Sequence, residues 1–231
     1  MYLSAILLAA GRGLRSKSKI SKSLIKINSK PLIFYSLKTL SSLSSIKDII
    51  VVANSRNLKG IINTVSKYRI GKVIRIVCGG KRRQDSAYCG LKAIDRRTDL
   101  VLIHDAARPF VNKKTVNALI KEAQRFGAAI TGVPVKDTVK EAVSYQHSAI
   151  SRNIVKKTLR RENLWAIQTP QVFKKDLILR AYKKFGHLDV TDDAMLVEKL
   201  GVKVSIVLGA YKNIKITTAE DLRVATCLAD N

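Results

Sequence analysis

Three short segments of this chain combine glycine, cationic and acidic residues in ways that suit phosphate chemistry. The first is Leu7-Leu8-Ala9-Ala10-Gly11-Arg12-Gly13-Leu14-Arg15. Gly11 and Gly13 let backbone approach a ligand without a Cβ in the way. Arg12, Arg15, Lys17, Lys19 and Lys22 then set cations where a polyphosphate could lie. The second segment, Gly79-Gly80-Lys81-Arg82-Arg83-Gln84-Asp85-Ser86, has two readings. It is an anion site at a helix N-terminus, with Ser86 reaching a ribose or phosphate, or a basic turn in which Asp85 and Ser86 open the helix. The third is His104-Asp105-Ala106-Ala107-Arg108-Pro109. Asp105 suits a hard cation such as Mg²⁺ and Arg108 offers a fork for phosphate; the alternative is an Asp–Arg pair bracing a turn. His104 reads as a packed strand-end residue. The adjacent Asp192 and Asp193 read as charges stabilising a helix N-terminus after Thr191, since they are not spaced as an acid/base pair. No Ser-His-Asp or Cys-His arrangement stands out, so positioning and cations around a phosphoryl centre fit better than a protein nucleophile.

The glycine loop differs from two well-known phosphate loops. No Gly-Lys-Ser/Thr closes it as in a Walker A sequence. It also departs from the dinucleotide fingerprint: Ser16 takes the third glycine position, and Ala53-Asn54-Ser55 ends the next strand where an acidic residue is needed.

These segments must be carried by elements that bring them together. Ala5 to Ala10 is continuously apolar, as in a parallel strand covered on both faces. Ile49–Ala53, Val73–Val77, Leu100–Ile103 and Ala128–Val133 read as further strands. Helices are expected around Ile33, Leu37 and Leu40, with Pro31 in the first turn, and over Ile61–Tyr68 and Arg83–Ile94. Another follows Asn112 as N-cap, carries Val116, Leu119, Ile120 and Ala123, and stops at Gly127. This βαβ rhythm predicts an α/β fold with a doubly wound, mostly parallel sheet, in which ligands sit outside the carboxyl ends of the strands. The rhythm breaks at Pro134. From about 136 to 159 the chain is polar with alternating apolar residues, the pattern of a protruding β-arm. It returns through Leu164-Trp165-Ala166-Ile167. Helices over Leu177–Phe185 and Ala194–Leu200, a strand over Val202–Leu208 and a last helix from Ala219 complete one domain spanning 1–231.

Composition narrows the classes. With 231 residues and 46% hydrophobic content, the chain buries a sizeable core. No apolar run approaches the ~20 residues of a membrane span, and the apolar start lacks a basic lead-in, so a cytoplasmic protein is expected. Cys78, Cys89 and Cys227 are expected as reduced, half-buried thiols, and His104, His147 and His187 are too dispersed for a zinc site. The balance of 43 Lys+Arg against 17 Asp+Glu gives a net charge of +26. Such a surface attracts nucleic acid, nucleotides or anionic membrane. The cations are spread along the chain, however, and no RRM, KH or zinc-finger pattern accompanies them. No specific nucleic-acid partner is expected.

Taken in order, L-A-A-G-R-G-x-R, Lys22, G-G-K-R-R-Q-D-S, H-D-A-A-R-P-F, P-V-K-D-T-V-K, L-W-A-I-Q-T-P-Q, T-D-D-A and N-I-K-I-T resemble the 2-C-methyl-D-erythritol 4-phosphate cytidylyltransferases from Ala5 to about Asp221. The resemblance implies a Rossmann-like nucleotidyltransferase fold and transfer of CMP from CTP to methylerythritol phosphate, with Mg²⁺ and release of pyrophosphate. It implies that backbone around Leu8, Ala9, Ala10 and Gly11 reads cytosine, and that Arg15 and Lys22 stabilise charge on the α-phosphate. Gly80, Lys81, Ser86 and Ala106 would contact base and ribose, Asp105 would bind Mg²⁺, and Lys215 would contact the CTP phosphates. Arg108, Thr138, Arg161, Thr169 and Thr191 would hold the acceptor. The arm would clasp a second subunit, presenting Arg161 across a homodimer interface. Ribitol-5-phosphate cytidylyltransferase is the nearest rival; a basic nucleic-acid-binding protein is a distant one. Two departures stand out. Ser21 and Ser23 flank Lys22 where the family commonly has proline and glutamine, which is expected to loosen that loop. Arg160 precedes Arg161 where aspartate is common, which alters charge near the acceptor.

Overall fold

The computed structural model describes residues 1–11, 21–147 and 150–229, with backbone alone at 145–147 and 150–152. The chain runs β1 (Leu3–Leu8), β2 (Lys26–Ile27), β3 (Lys30–Pro31), α1 (Leu32–Ser41), β4 (Ile46–Ala53), α2 (Leu58–Lys67), β5 (Val73–Cys78), α3 (Arg83–Leu91) and β6 (Leu100–Asp105). It continues with α4 (Lys113–Phe126), β7 (Ala128–Pro134), β8 (Lys140–His147), β9 (Ile150–Thr158), β10 (Trp165–Lys174), α5 (Lys175–Phe185), α6 (Ala194–Glu198), β11 (Ser205–Leu208) and α7 (Ala219–Ala229). Short 3₁₀ turns lie at Lys22–Leu24 and Arg161–Asn163.

Seven strands form the central sheet in the order β11-β7-β10-β6-β1-β4-β5. Neighbours pair in parallel except β10, which is antiparallel to both β6 and β7. Side chains alternate across β1. Leu3, Ala5 and Leu7 pack with Ile33 and Leu37 of α1, Ile61 of α2 and Val116 and Leu119 of α4. Ile6 and Leu8 pack with Ala87 and Leu91 of α3, Ile178 and Ala181 of α5 and Leu196 of α6. Both faces are therefore covered, which is why the strand is apolar throughout. Asn112 caps α4 by accepting from the Thr115 N–H at 2.8 Å, and Gly127 ends that helix at φ 87°.

The register aligns the strand ends that matter. Leu8 lies opposite both Asp105 of β6 and Val52 of β4, and Ala53 lies opposite Cys78. The segments after β1, β4, β5 and β6 thus emerge along one rim. A third apolar cluster, with Ile27, Leu32, Ile216 and Ala225, folds α7 against the β2–β3 turn. The Ile216 N–H donates to the Ala107 carbonyl at 2.9 Å, which brings Lys215 to the same rim.

Several expectations shift. Pro31 does not form the first turn of α1; it pairs with Lys26 in the small β2–β3 ladder, at φ −64° and ψ 144°. Helix α2 already starts at Leu58, α3 stops at Leu91, and β11 is confined to Ser205–Leu208. The return segment after the hairpin is a full strand, β10, inserted between β6 and β7. Cys89 is half-buried, but Cys78 and Cys227 are exposed. Cys78 ends β5, the edge strand of the sheet, which pairs with β4 on one side only. The hairpin β8–β9 pairs from Lys140↔Thr158 to His147↔Ile150 as its own two-stranded sheet. It leaves Val143, Ile154 and Val155 exposed.

Candidate active site

Two cavities meet on the rim. One, of about 540 Å³, is lined by Leu8, Ala10, Gly11, Lys22, Gly79, Gly80, Lys81 and Ser86. The other, of about 430 Å³, is lined by Arg108, Thr169, Gln171 and Thr191. Arg83, Asp105 and Lys215 line both and form the boundary between them.

These boundary residues form a chain of alternating charge. Lys215 Nζ lies 2.8 Å from Asp105 Oδ2, and Arg83 Nε 3.0 Å from Asp105 Oδ1. Arg83 Nη1 reaches Asp193 Oδ2 at 2.8 Å, and the Tyr182 hydroxyl donates to Asp193 Oδ1. Asp193 is 0% exposed. Burial alone would raise the Asp105 carboxyl, but the Arg83 and Lys215 charges outweigh it and hold the group well below the usual carboxylate range. Burial likewise opposes charge on Arg83, and the two aspartates overcome it, so its pKa is raised. The two cations hold this carboxylate in its ionised form, the form that orients an ammonium or binds a metal. Arg83 Nη2 is buried without a hydrogen-bond partner.

A second network fixes the backbone under Asp105. The Asp105 N–H donates to Thr169 Oγ1 at 3.0 Å, and Thr169 Oγ1 lies 3.0 Å from His104 Nδ1. His104 Nε2 lies 3.0 Å from the Arg108 carbonyl oxygen. A carbonyl can only accept, so Nε2 carries the proton and Nδ1 accepts from the threonine hydroxyl. Burial pushes the His104 pKa down to about 4, which keeps that tautomer neutral. Arg108 donates to the Asn213 carbonyl at 2.8 Å and to the Ile167 carbonyl at 3.4 Å. Burial lowers its pKa.

On the opposite wall, Asn54 Nδ2 donates to the Ala10 carbonyl and Asn57 Nδ2 to the Ala9 carbonyl, each at 2.8 Å. The Ala9 N–H donates to the Val52 carbonyl. Ala10 and Gly11 line the cavity, whereas Ala9 and Ala106 lie beneath it, 5% and 1% exposed. Ser86, 5% exposed, accepts from the Gly80 N–H at 3.2 Å and donates to the Arg82 carbonyl.

The structure thus brings together Leu8, Ala10, Gly11, Lys22, Gly80, Lys81, Ser86, Asp105, Arg108, Thr169, Thr191 and Lys215. Arg15 lies outside the described residues. Thr138 and Arg161 are exposed at the base of the hairpin, apart from both cavities, and Arg161 Nη1 donates to the Lys136 carbonyl at 2.6 Å. Arg160 is exposed beside Arg161 and lines neither cavity. Asp192 opens α6 as expected, accepting from the Met195 N–H at 3.1 Å. Asp193 does not: its carboxylate turns inward to Arg83 because an ion pair is available there. Ser21 and Ser23, expected to loosen the lysine loop, are instead each held by the buried Asn57 amide. Sequence reading assigned no role to Arg83 or Asn57 and gave Asp193 a different one. Arg83 sat in a quoted motif, with nothing local to separate it from Arg82, whose guanidinium reaches the Gly186 and Leu188 carbonyls.

Comparison with known proteins bears on the same site. The family model for 2-C-methyl-D-erythritol 4-phosphate cytidylyltransferase matches residues 3–230. The Shouchella clausii enzyme of that name is 47% identical over 228 residues, covering 97% of this chain and 95% of that protein. The Caldanaerobacter subterraneus enzyme of that name is 44% identical over 229 residues, covering 97% of each. The crystal structure of 4-diphosphocytidyl-2C-methyl-D-erythritol synthase from Anaerococcus prevotii superposes with a TM-score of 0.84 at 35% identity, covering 100% of this chain and 96% of that one. With the rim residues matching the motifs and the likeness running the length of the chain, this protein belongs to the 2-C-methyl-D-erythritol 4-phosphate cytidylyltransferase family.

Proposed function

We propose that this protein transfers the cytidylyl group of CTP to 2-C-methyl-D-erythritol 4-phosphate, releasing pyrophosphate. The observation that carries this reading is the pair of cavities sharing Arg83, Asp105 and Lys215. The glycine-lined cavity suits a nucleotide and the Arg108–Thr169–Thr191 cavity a polyol phosphate, so the α-phosphorus and the attacking phosphate would meet at the shared charges. A phosphate oxygen of the acceptor attacks the α-phosphorus. That bond forms as the bond from the α-phosphorus to the bridging oxygen of the β-phosphate breaks, and the leaving electron pair departs with pyrophosphate. Lys22, from the nucleotide side, and Lys215, from the boundary, would offset the growing negative charge. Arg15 would join Lys22 in this role. Leu8, Ala9, Ala10 and Gly11 would frame the base, with Gly80, Lys81, Ser86 and Ala106 around base and ribose. Arg108, Thr169 and Thr191 would hold the acceptor.

The donor set fits Mg²⁺. Asp105 is ionised and faces both cavities, while no cluster of three His, Cys, Asp or Glu side chains exists among the described residues. Mg²⁺ is commonly held by one or two carboxylates plus phosphates and water, so Asp105 would suffice. When bound, the ion would neutralise phosphate charge. The exposed apolar hairpin residues Val143, Ile154 and Val155 support a homodimer in which the hairpin carries Thr138 and Arg161 to the partner's acceptor cavity. Among the described residues no helix is long and apolar enough to cross a membrane. With phosphorylated water-soluble substrates, we read the enzyme as cytoplasmic.

The deciding assay is pyrophosphate release by purified protein with Mg²⁺. Release should require both CTP and methylerythritol phosphate, with kcat/KM higher than for ribitol 5-phosphate and with ATP, GTP and UTP as poorer donors. A preference for ribitol 5-phosphate would reassign the acceptor. No release with either acceptor, alongside steeply salt-dependent binding of duplex DNA, would refute the enzyme reading.

A further inference from the structure

We infer that Asn57 is a positioning residue for Lys22, acting through the two serines that flank it. This rests on the reading of Lys22 given above. Asn57 occupies the N-cap position of α2, where asparagine ordinarily turns its side chain onto the first helical N–H groups. Here it makes no such bond. Its amide turns the other way. Asn57 Nδ2 lies 3.0 Å from both Ser21 Oγ and Ser23 Oγ and 2.8 Å from the Ala9 carbonyl oxygen, its two N–H groups shared among these three acceptors, while Asn57 Oδ1 accepts from the Asn54 N–H at 2.8 Å. The residue is 0% exposed, so these bonds are shielded from competing water.

The geometry has a specific consequence for Lys22. Ser21 precedes it and Ser23 follows it, within a single 3₁₀ turn closed by the Leu24 N–H donating to the Ser21 carbonyl at 2.8 Å. Holding both neighbours fixes the direction in which the Lys22 Cα–Cβ bond leaves the backbone. The anchor is firm, because Asn57 stands at the junction of β4 and α2, and Leu24 packs against the space that Gly60 leaves on α2. The same amide holds the Ala9 carbonyl, so the lysine turn and the end of β1 leading to Gly11 take their positions from one group. A lysine placed near a reacting phosphate loses effectiveness steeply with small displacements. A helix cap has been exchanged for an anchor at a place where displacement matters.

The test uses the full-length enzyme in four forms: wild type, Ser21→Ala/Ser23→Ala, Lys22→Ala, and the triple variant. Turnover, CTP KM and Tm are read for each. The serine pair is expected to lower kcat about tenfold with CTP KM within about twofold and Tm within a few degrees of wild type. In the Lys22→Ala background the serine changes should lower kcat no further, since the route through Lys22 is already gone. Asn57→Asp, which cannot donate from that position, should reproduce the kcat loss. Unchanged kcat in the serine pair overturns the inference. So does an equal fold-loss with and without Lys22, which would mark a general structural role. Wild-type turnover in Lys22→Ala would overturn the catalytic reading of the lysine and the inference with it, whereas a collapsed Lys22→Ala beside an unaffected serine pair overturns the inference alone.

Discussion

Arg83→Met isolates the charge chain behind the site. Methionine keeps the length and apolar stem of the side chain while removing the guanidinium. The change deprives two carboxylates of their cation at once, Asp193 at 0% side-chain exposure and Asp105 at 10%. Asp105 retains Lys215, but among the described residues Asp193 keeps only the Tyr182 hydroxyl. Removing one partner of a buried pair typically costs about 3–5 kcal/mol because the remaining charge is stranded. For a chain of this size that corresponds to a Tm lower by roughly 10 °C. Asp193→Asn in the same background removes the stranded charge and keeps an acceptor for Tyr182, so about 2 kcal/mol should return. Urea unfolding of wild type, both single variants and the double variant measures the cycle. The variant that remains folded at low temperature should also turn over slowly, because Asp105 is then held from one side only. A loss below about 1 kcal/mol for Arg83→Met, or a double variant as unstable as the two singles combined, would refute the reasoning about the buried charges.

Three further outcomes are expected. His104 is held neutral with a pKa near 4, below its unfolded value near 6.5, so the folded protein binds fewer protons between those values. Stability should therefore be complete above pH 6.5 and fall as pH drops towards 4, by on the order of 3 kcal/mol. A Tm–pH series should show this slope flattened in His104→Asn. Gly79→Ala would set a Cβ 2.6 Å from Ala10 Cβ and 2.6 Å from Ser86 Oγ, so CTP affinity by titration should weaken at least about tenfold while the fold persists. Co-expressed Arg161→Ala and Lys22→Ala subunits should regain part of the wild-type turnover, since one site of the mixed dimer then holds both residues; a fully active monomer in sedimentation would refute the shared site.

Local sequence carried the strand and helix pattern because those signals are local. Burial on both faces makes β1 apolar throughout, and cap chemistry marks Asn112 and Gly127 at the ends of α4. The motif residues at strand ends were legible too, because a parallel sheet places its carboxyl-end loops together. Tertiary structure alone decided what those residues do to one another. Arg83 meets Asp193 across 110 positions, and that meeting depends on α6 docking beside α3, which no local pattern encodes. An adjacent pair such as Arg82 and Arg83, identical in chemistry, diverges only when one pairs with the half-buried Asp85 and loop carbonyls and the other with buried carboxylates. Asp193 looked like a helix-end charge and became a buried counter-ion for the same reason. The insertion of β10 between β6 and β7 set Thr169 under Asp105, and the packing of α7 on the β2–β3 turn delivered Lys215. Asn57 is the clearest case. It stands at the N-cap position of α2, four residues before the helix expected from the sequence, and the nearness of Ala9, Ser21 and Ser23 in space turned its amide towards the lysine loop.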